Sequence, residues 1–222
     1  MPGSEFFELC PDHIYRCKPF GHFVWQKHGF GTRTANPPAG VTLRQVHSNR
    51  VVNARGLRDR EFEGDALITN DTGVSIGIRT ADCVPILLLD SRNHALAAVH
   101  AGWRGTAAQI IVRATEQMRA DFGTDPADLH AAIGPCIRAC CYEVGEAVAS
   151  QFDSAFVTHG SGGKLNVDLA LANRHQIESA AVDPACIYDS GLCTACLRDR
   201  FFSYRREPQN PGRMLSSICR VA

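Results

Sequence analysis

The chain has 222 residues, of which 45% are hydrophobic and 21% charged, a composition typical of a globular protein. Its formal net charge is zero, which excludes a bulk electrostatic attraction to nucleic acid or to an anionic membrane surface. We therefore predict a single domain over residues 1–222, with no nucleic-acid partner and no membrane partner.

The first residues lack a basic segment followed by an apolar core, so we predict no signal peptide. No apolar run approaches the roughly 20 residues that a membrane span needs. We predict a cytoplasmic location, in which the ten cysteines are reduced thiols. Cys193 and Cys196 form a Cys-x-x-Cys pair that could bind a metal or undergo redox chemistry. Because no second such pair is present, the sequence does not predict a closed four-thiolate zinc site.

Eight strands follow from apolar or β-favouring runs between turn residues. They are predicted at residues 41–46, 50–54, 65–69, 74–79, 84–89, 95–99, 130–133 and 186–188. A short turn that contains His47 separates the first two strands. Residues 70–73 are a strong turn signal between the third and the fourth. The fifth and sixth strands are apolar and are separated only by the polar residues 91–94, which indicates a buried hairpin.

Three helices are predicted from apolar residues that recur on one helical face. The first has Thr106 as its N-cap and stops at Gly123. The second covers residues 143–152, and the third begins after Asp168 and ends near residue 180. Strands and helices are thus mixed and several neighbouring strands form hairpins. The predicted fold class is α/β (α+β) with a mixed β-sheet.

The hairpin register decides where two chemically active side chains lie. A four-residue turn at 91–94 pairs Pro85 with His100 and Cys83 with Gly102. Cys83 and His100 are then diagonal neighbours on one face of the sheet, about 7–8 Å apart at the backbone. A turn one residue shorter would place them on opposite faces, so the inference depends on this register.

His47, at the end of its own strand, is the predicted third member of this group. Two imidazole nitrogens and one thiolate leave a tetrahedral zinc ion with one open position, which is characteristic of catalytic zinc. From spacing alone, other readings stay open. Cys83 could be a small core residue, both histidines could simply be hydrogen-bonded, or Cys83 could be a nucleophile with His100 as its base.

Three further features have two readings each. Arg104 follows a glycine turn at the predicted start of a helix. The helix amides and the Arg104 guanidinium could bind an anion there. Alternatively, the turn only allows Trp103 to pack in the core. Asp82 could orient a metal ligand or cap a turn. Residues 202–206 could close a pocket with aromatic and arginine side chains, or form an exposed edge strand.

A series of motifs occurs in order along the sequence. They are Gln-Val-His at 45–47, Gly-Asp-Ala-Leu-Ile-Thr at 64–69, Thr-Ala-Asp-Cys-Val-Pro at 80–85, Val-His-Ala-Gly-Trp-Arg-Gly-Thr at 99–106, Ile-Gly-Pro-Cys-Ile at 133–137, Cys-Tyr-Glu-Val-Gly at 141–145, Cys-Thr at 193–194 and Phe-Ser-Tyr-Arg-Arg at 202–206. With these motifs the sequence resembles the purine nucleoside phosphorylase family once called multicopper polyphenol oxidoreductases, or laccase-domain proteins, whose bacterial members include the peptidoglycan editing factor. The resemblance covers roughly residues 28–219.

The resemblance implies a single catalytic domain, a sandwich of mixed β-sheets flanked by helices that is similar to the catalytic domain of cytotoxic necrotizing factor toxins. It implies Zn²⁺ bound by His47, Cys83 and His100. The implied activities are phosphorolysis of adenosine, inosine, guanosine and methylthioadenosine, and deamination of adenosine. The expected partners are therefore a purine nucleoside and phosphate. The protein itself is expected to be a monomer or a homodimer.

Within this framework we assign roles to the remaining residues. Cys83, His100 and Asp82 are the predicted catalytic residues; the sequence does not assign the proton donor to the leaving base, for which Asp82 is one candidate. Arg44, Arg104 and Arg205, which lie in three separate segments, are the predicted substrate contacts.

Other activities described for the family give alternative functions for this chain. One is a peptidoglycan-precursor amidase that removes L-serine from UDP-MurNAc-L-Ser, and another is a copper polyphenol oxidase. Copper is less expected than zinc, because type-1 copper needs an axial ligand such as Met and multicopper sites need more histidines. A non-enzymatic metal-binding module is the fourth alternative. The chain also departs from the family in its short segment 34–43 and in Ser48, where glycine is usual, which bears on substrate choice.

Overall fold

The computed structural model describes residues 5–160, 163–209 and 212–221. Its strands are β1 Phe7–Leu9, β2 Tyr15–Cys17, β3 Gln26–Phe30, β4 Val51–Asn53, β5 Ala66–Thr69, β6 Ser75–Thr80, β7 Val84–Asp90, β8 Leu96–Ala101, β9 Leu129–Ile133, β10 Glu143–Val144, β11 Val157–His159, β12 Leu165–Val167, β13 Ile187–Asp189 and β14 Met214–Arg220. Its helices are α1 Trp103–Ala107, α2 Ile110–Phe122, α3 Glu146–Ala149 and α4 Leu169–Ser179. Within these ranges, no helix combines the length and apolar character needed to cross a membrane.

The strands form two large sheets and one small sheet. One large sheet has six strands in the order β13-β9-β7-β8-β5-β4, and the other has five in the order β1-β2-β3-β14-β6. The small sheet is β10-β12-β11. Most neighbours are antiparallel, but β4 pairs with β5 and β9 pairs with β13 in parallel. The predicted mixed-sheet sandwich flanked by helices is therefore confirmed.

The β7–β8 hairpin lies in the middle of the molecule, and every residue of both strands is buried. Successive side chains of a strand point to opposite faces, so each strand contributes to two separate apolar layers. The layer between the two large sheets contains Leu87, Leu89, Leu96, Ala98, Ile76 and Ile218. The layer under the helices contains Ile86, Leu88, Ala97, Val99, Ile111, Ala114 and Met118. Both faces are covered, which explains the unbroken apolar character of the two strands.

The predicted hairpin register is confirmed. Pro85 lies opposite His100, and Asp90 donates its backbone N–H to the carbonyl of Ala95. The buried carboxylate of Asp90 closes the turn by accepting the backbone N–H groups of Arg92 and Asn93. This side-chain bonding within the turn favours the four-residue connection on which the register depends.

The first predicted helix is divided in two, and Thr106 is not its N-cap. Helix α1 already begins after Gly102, and Gln109 adopts a left-handed φ of 58° that separates α1 from α2. The Thr106 hydroxyl accepts a hydrogen bond from Asn173 of α4 at 2.9 Å. Packing against α4 thus holds Thr106 inside α1. The predicted stop at Gly123 is confirmed, with φ at 71°.

The second predicted helix is wrong in its first part. Glu143 and Val144 form a strand that pairs with Asn166 and Leu165, and helix α3 covers only residues 146–149. Pairing with a strand distant in sequence therefore overrides the helical pattern. The third prediction is confirmed, because Asp168 caps α4 by accepting the backbone N–H of Leu171 at 2.9 Å.

The predicted strand at 41–46 does not form, and only isolated bridges occur there. Carboxylates take the backbone N–H groups that a strand would use: Asp59 accepts that of Thr42, and Asp65 accepts that of Val46. The turn at 70–73 does join β5 and β6, but these strands belong to different sheets. Residues 202–206 form a turn and not an edge strand.

Candidate metal centre and active site

Three side chains from separate segments meet at one end of the β7–β8 hairpin. One potential ligand atom from each of His47, Cys83 and His100 lies within 4.8 Å of the other two. His100 belongs to β8, and Cys83 directly precedes β7, two positions from the residue opposite His100. Both therefore face the same side of the sheet, as the register predicted.

A buried carboxylate brings His47 to this place. Asp65, directly before β5, is fully buried and accepts the backbone N–H groups of Val46, His47 and Ser48 at 3.3, 3.0 and 2.6 Å. It also accepts the hydroxyl of Ser48 at 2.7 Å. The loop wraps around this carboxylate, and His47 adopts a left-handed φ of 58°. Ser48, the departure from the family pattern, thus adds one bond to the anchor.

The same carboxylate orients the second histidine. Asp65 Oδ1 lies 2.8 Å from Nδ1 of His100, and both side chains are almost completely buried. Burial raises the pKa of Asp65, but hydrogen bonds from His100 and Ser48 outweigh it and lower the pKa to about 2. The ionised carboxylate keeps the proton on Nδ1, which leaves Nε2 of His100 available as a ligand.

Gly102 is required by the close approach of two candidate ligands, His47 and Cys83. A Cβ atom at this position would lie 2.9 Å from Nδ1 of His47 and 3.0 Å from Sγ of Cys83. The backbone at Gly102, with φ −75° and ψ 175°, is accessible to any residue, so space and not strain excludes a side chain. The hairpin and α1 therefore meet at Gly102, and a methyl group there would fill the space beside His47 and Cys83.

The donors fit a divalent metal ion. Burial raises the pKa of the Cys83 thiol, but the adjacent His100 and His47 outweigh it and lower the pKa to about 6. Thiolate is the form that binds metals. Two nitrogens and one sulfur with an open side match catalytic zinc. A blue-copper site would add an axial Met, and neither Met118 nor Met214 lines this site.

The three donors open into a cavity of about 940 Å³. Among the described residues, its ionisable lining is strongly basic, with Asp82 as the one carboxylate. The arginines that line it are Arg60, Arg79, Arg104, Arg205 and Arg213. In a chain of zero net charge, this concentration of guanidinium groups makes the cavity attractive to an anion.

Two of the three predicted substrate arginines line the cavity. Arg104 lies on α1 with its guanidinium 4.3 Å from the ring of Trp103. Arg205 lies 5.4 Å from the ring of Tyr142, and its Nη1 donates to the carbonyl of Glu143 at 2.8 Å. Arg44 is exposed and is not among the described residues that line the cavity.

Asp82 holds a neighbouring segment in place. Its carboxylate accepts the hydroxyls of Thr194 and Ser203 at 2.6 and 3.0 Å and the backbone N–H of Arg205 at 2.7 Å. Its own backbone adopts a left-handed φ of 89°. Asp82 therefore positions the turn that carries Arg205 directly beside the ligand Cys83.

Sequence reasoning missed several residues of the site. Asp65 is 35 positions from His100, and no local pattern relates the two. Arg60, Arg79 and Tyr142 reach the cavity from a loop, a strand of the second sheet and a turn, so their approach depends on tertiary packing. Gly102 was the one detectable case, because a glycine two residues after a ligand indicates close backbone approach.

Residues 29–221 match the family described as multi-copper polyphenol oxidoreductase laccase. A purine nucleoside phosphorylase of Deinococcus radiodurans is 43% identical over 183 residues, or 79% of this chain and 68% of that protein. The adenosine deaminase RL5 of an unknown prokaryotic organism is 39% identical over 196 residues, or 81% and 74% of the two chains. The crystal structure of YlmD from Geobacillus stearothermophilus has a TM-score of 0.88 at 27% identity and covers 100% of both chains.

The family expected from the motifs and the fold of the solved relative therefore agree along most of the chain. The chain belongs to the multi-copper polyphenol oxidoreductase laccase family.

Proposed function

We propose that the chain is a zinc-dependent enzyme that cleaves purine nucleosides with phosphate and also deaminates adenosine. The observation that carries the proposal is the juxtaposition of His47, Cys83 and His100, open on one side, with a cavity lined by arginines. The substrates are adenosine, inosine, guanosine and methylthioadenosine. Relatives named purine nucleoside phosphorylase and adenosine deaminase support both reactions.

The basic lining suits inorganic phosphate. The exposed guanidinium of Arg104 lies on the cavity wall next to the metal ligands, and Arg205 lies on the wall formed by the turn at Asp82. Charge-assisted hydrogen bonds from guanidinium to phosphate oxygens are about twice as strong as neutral ones. Helix α1 has only five residues, so we assign phosphate binding to these side chains and not to the helix dipole.

The remaining lining suits a nucleoside. A volume of about 940 Å³ accommodates a nucleoside together with phosphate. Tyr142 and the exposed Tyr204 offer ring faces on which a purine can stack. Thr80 also lines the cavity, and its buried hydroxyl has no hydrogen-bond partner among the described residues.

In phosphorolysis, a phosphate oxygen forms a bond to C1′ of the ribose while the bond from C1′ to the purine nitrogen breaks. The electron pair of that bond leaves with the purine, which takes up a proton. When bound, zinc supplies Lewis-acid charge at the open side of its three ligands. Asp65 holds His100 and the His47 loop in place for this role, and Arg104 and Arg205 hold the phosphate. The proton comes from solvent, because the Asp82 carboxylate accepts three hydrogen bonds and has no proton to donate; Asp82 acts instead as a positioning residue for the turn that carries Arg205.

In deamination, water replaces phosphate as the attacking group, and adenosine is converted to inosine with release of ammonia. The same cavity serves both reactions, because each needs a nucleophile next to the open side and a purine nucleoside bound beside it. The two reactions differ in which carbon of the nucleoside faces the nucleophile, C1′ of the ribose or C6 of the base.

The decisive experiment measures metal content and products on one preparation. The purified protein is analysed for zinc and copper and incubated with adenosine, with and without phosphate. We expect zinc, adenine formed only with phosphate, and inosine formed in either condition. Cys83→Ala and His100→Ala should lose zinc and both activities, whereas the control Cys186→Ser, outside the site, should retain both.

Each rival predicts a different outcome. Full activity in the metal-free protein would favour Cys83 as a nucleophile with His100 as its base, and would refute the zinc mechanism. Release of L-serine from UDP-MurNAc-L-Ser without any nucleoside turnover would favour the amidase. Copper content with phenol oxidation would favour the oxidase, and a zinc-loaded protein inert toward all these substrates would favour a binding module.

A further inference from the structure

A second group of thiols lies outside the site described above. The Sγ atoms of Cys140, Cys141, Cys193 and Cys196 all lie within 4.8 Å of one another. Three of the separations are 3.7 Å for Cys140–Cys141, 3.7 Å for Cys140–Cys196 and 3.3 Å for Cys141–Cys196. All four cysteines are free thiols, because a disulfide would bring two sulfurs to about 2.05 Å.

These separations match the geometry of one tetrahedral metal ion. With zinc–sulfur bonds of about 2.3 Å, the sulfurs of a tetrahedral four-thiolate site are about 3.8 Å apart. We propose that these four cysteines bind a second, structural zinc ion. The sequence alone does not predict such a site because it has only one Cys-x-x-Cys pair, and the fold brings the four thiols together from two segments. Adjacent cysteines in a tight turn supply the second pair.

The backbone around the cluster is arranged as in a thiolate site. The backbone N–H of Cys141 and that of Tyr142 both bond to the carbonyl of Arg138, which forms the tight turn of the first pair. On the other segment, the backbone N–H of Leu197 bonds to the carbonyl of Cys193, which forms the turn of the Cys-x-x-Cys pair.

Four sulfurs this close together would repel one another as thiolates. A divalent cation bound among them would remove this repulsion and stabilise all four thiolates. Cys140 and Cys196 are exposed, so the ion can enter directly from solvent.

The cluster joins two segments that support the active-site cavity. The turn that carries Cys140 and Cys141 continues into Tyr142, which lines the cavity. Between Cys193 and Cys196, Thr194 donates its hydroxyl to Asp82 at 2.6 Å. A zinc ion held by both segments would cross-link this wall of the cavity without contacting substrate, as structural zinc sites do.

The test compares metal content among variants of the full chain purified under reducing conditions without oxygen. We expect two zinc ions per chain in the unaltered protein and one in Cys196→Ser, whose side chain is exposed. The matched control Cys10→Ser, a thiol outside the cluster, should retain two. Cys83→Ala should lose the other zinc ion and keep this one, so the two sites are distinguished even if the proposed function fails.

A spectroscopic measurement adds a readout on a protein in which all four cysteines of the cluster are present. Cobalt added to metal-free Cys83→Ala should produce the intense thiolate-to-cobalt absorption of a four-sulfur site, and the same spectrum should be absent after the further change Cys196→Ser. The proposal is overturned if Cys196→Ser and the unaltered protein hold equal zinc. It is also overturned if the cluster holds iron, or if mass spectrometry finds a Cys141–Cys196 disulfide in the reduced preparation.

Discussion

Asp65→Asn tests how the metal ligands are held in place. The two carboxylate oxygens of Asp65 accept five hydrogen bonds: Oδ1 from His47 N and His100 Nδ1, and Oδ2 from the backbone N–H groups of Val46 and Ser48 and from the Ser48 hydroxyl. An asparagine has nearly the same shape, but one of its two positions is an NH₂ donor. Either orientation of the amide therefore places a donor against at least one backbone N–H.

The expected loss follows from these contacts. One unsatisfied buried donor costs about 1–3 kcal/mol, so the free energy of unfolding should fall by about that amount. If the amide nitrogen faces His100, the imidazole must present its other tautomer, in which Nε2 carries the proton and cannot bind a metal. Loss of such an orienting contact typically reduces metal affinity by about 10–100-fold.

Zinc affinity is measured by competition with a chromophoric chelator, and stability by urea unfolding of the metal-free protein. Asp59→Asn is the matched control, since it removes the same charge in the same region. Within the described part of the chain, Asp59 accepts hydrogen bonds through Oδ1 alone, from the backbone and hydroxyl of Thr42, so an asparagine oxygen can replace it. The control should keep the zinc affinity of the unaltered protein.

The reasoning fails if Asp65→Asn binds zinc as tightly as the unaltered protein. It also fails if Asp65→Asn and Asp59→Asn lose equal affinity, because the effect would then come from charge and not from the orientation of His47 and His100.

Further predictions follow from single contacts. Gly102→Ala places a methyl group 2.9 Å from a His47 nitrogen, so zinc affinity in the chelator assay should fall about 10–100-fold; Gly145→Ala, with open space around it, should have no effect. Arg104→Ala should raise the KM for phosphate about 10-fold or more in initial-rate assays, whereas the exposed Arg113→Ala should not. Thr194→Val removes a 2.6 Å bond to a buried carboxylate and should lower the free energy of urea unfolding by about 1–3 kcal/mol, a result that an unchanged midpoint would contradict. Removing zinc with a chelator should abolish nucleoside turnover, and added zinc should restore it.

The fold was predictable wherever a local pattern agreed with the final packing. The apolar β7 and β8, the polar turn between them and the Asp168 cap of α4 carry their own signals, and all three predictions are confirmed. The predictions failed where contacts with residues distant in sequence overrode the local pattern. Asp59 and Asp65 removed a predicted strand, β12 converted the start of a helix into a strand, and contacts with α4 hold Thr106 within α1.

Some features of the candidate site were likewise predictable from local sequence, and others were not. The approach of Cys83 to His100 follows from hairpin register, which is a property of a short continuous stretch of sequence. The anchoring of His47 and His100 by Asp65, the arginine lining and the four-cysteine cluster unite segments far apart in the chain. Sequence periodicity reports which face of an element is buried, but not which other element covers that face. The amino-acid sequence by itself therefore determined the central hairpin, the cap of α4 and the candidate ligand types. Only tertiary packing decided which charges and thiols became neighbours.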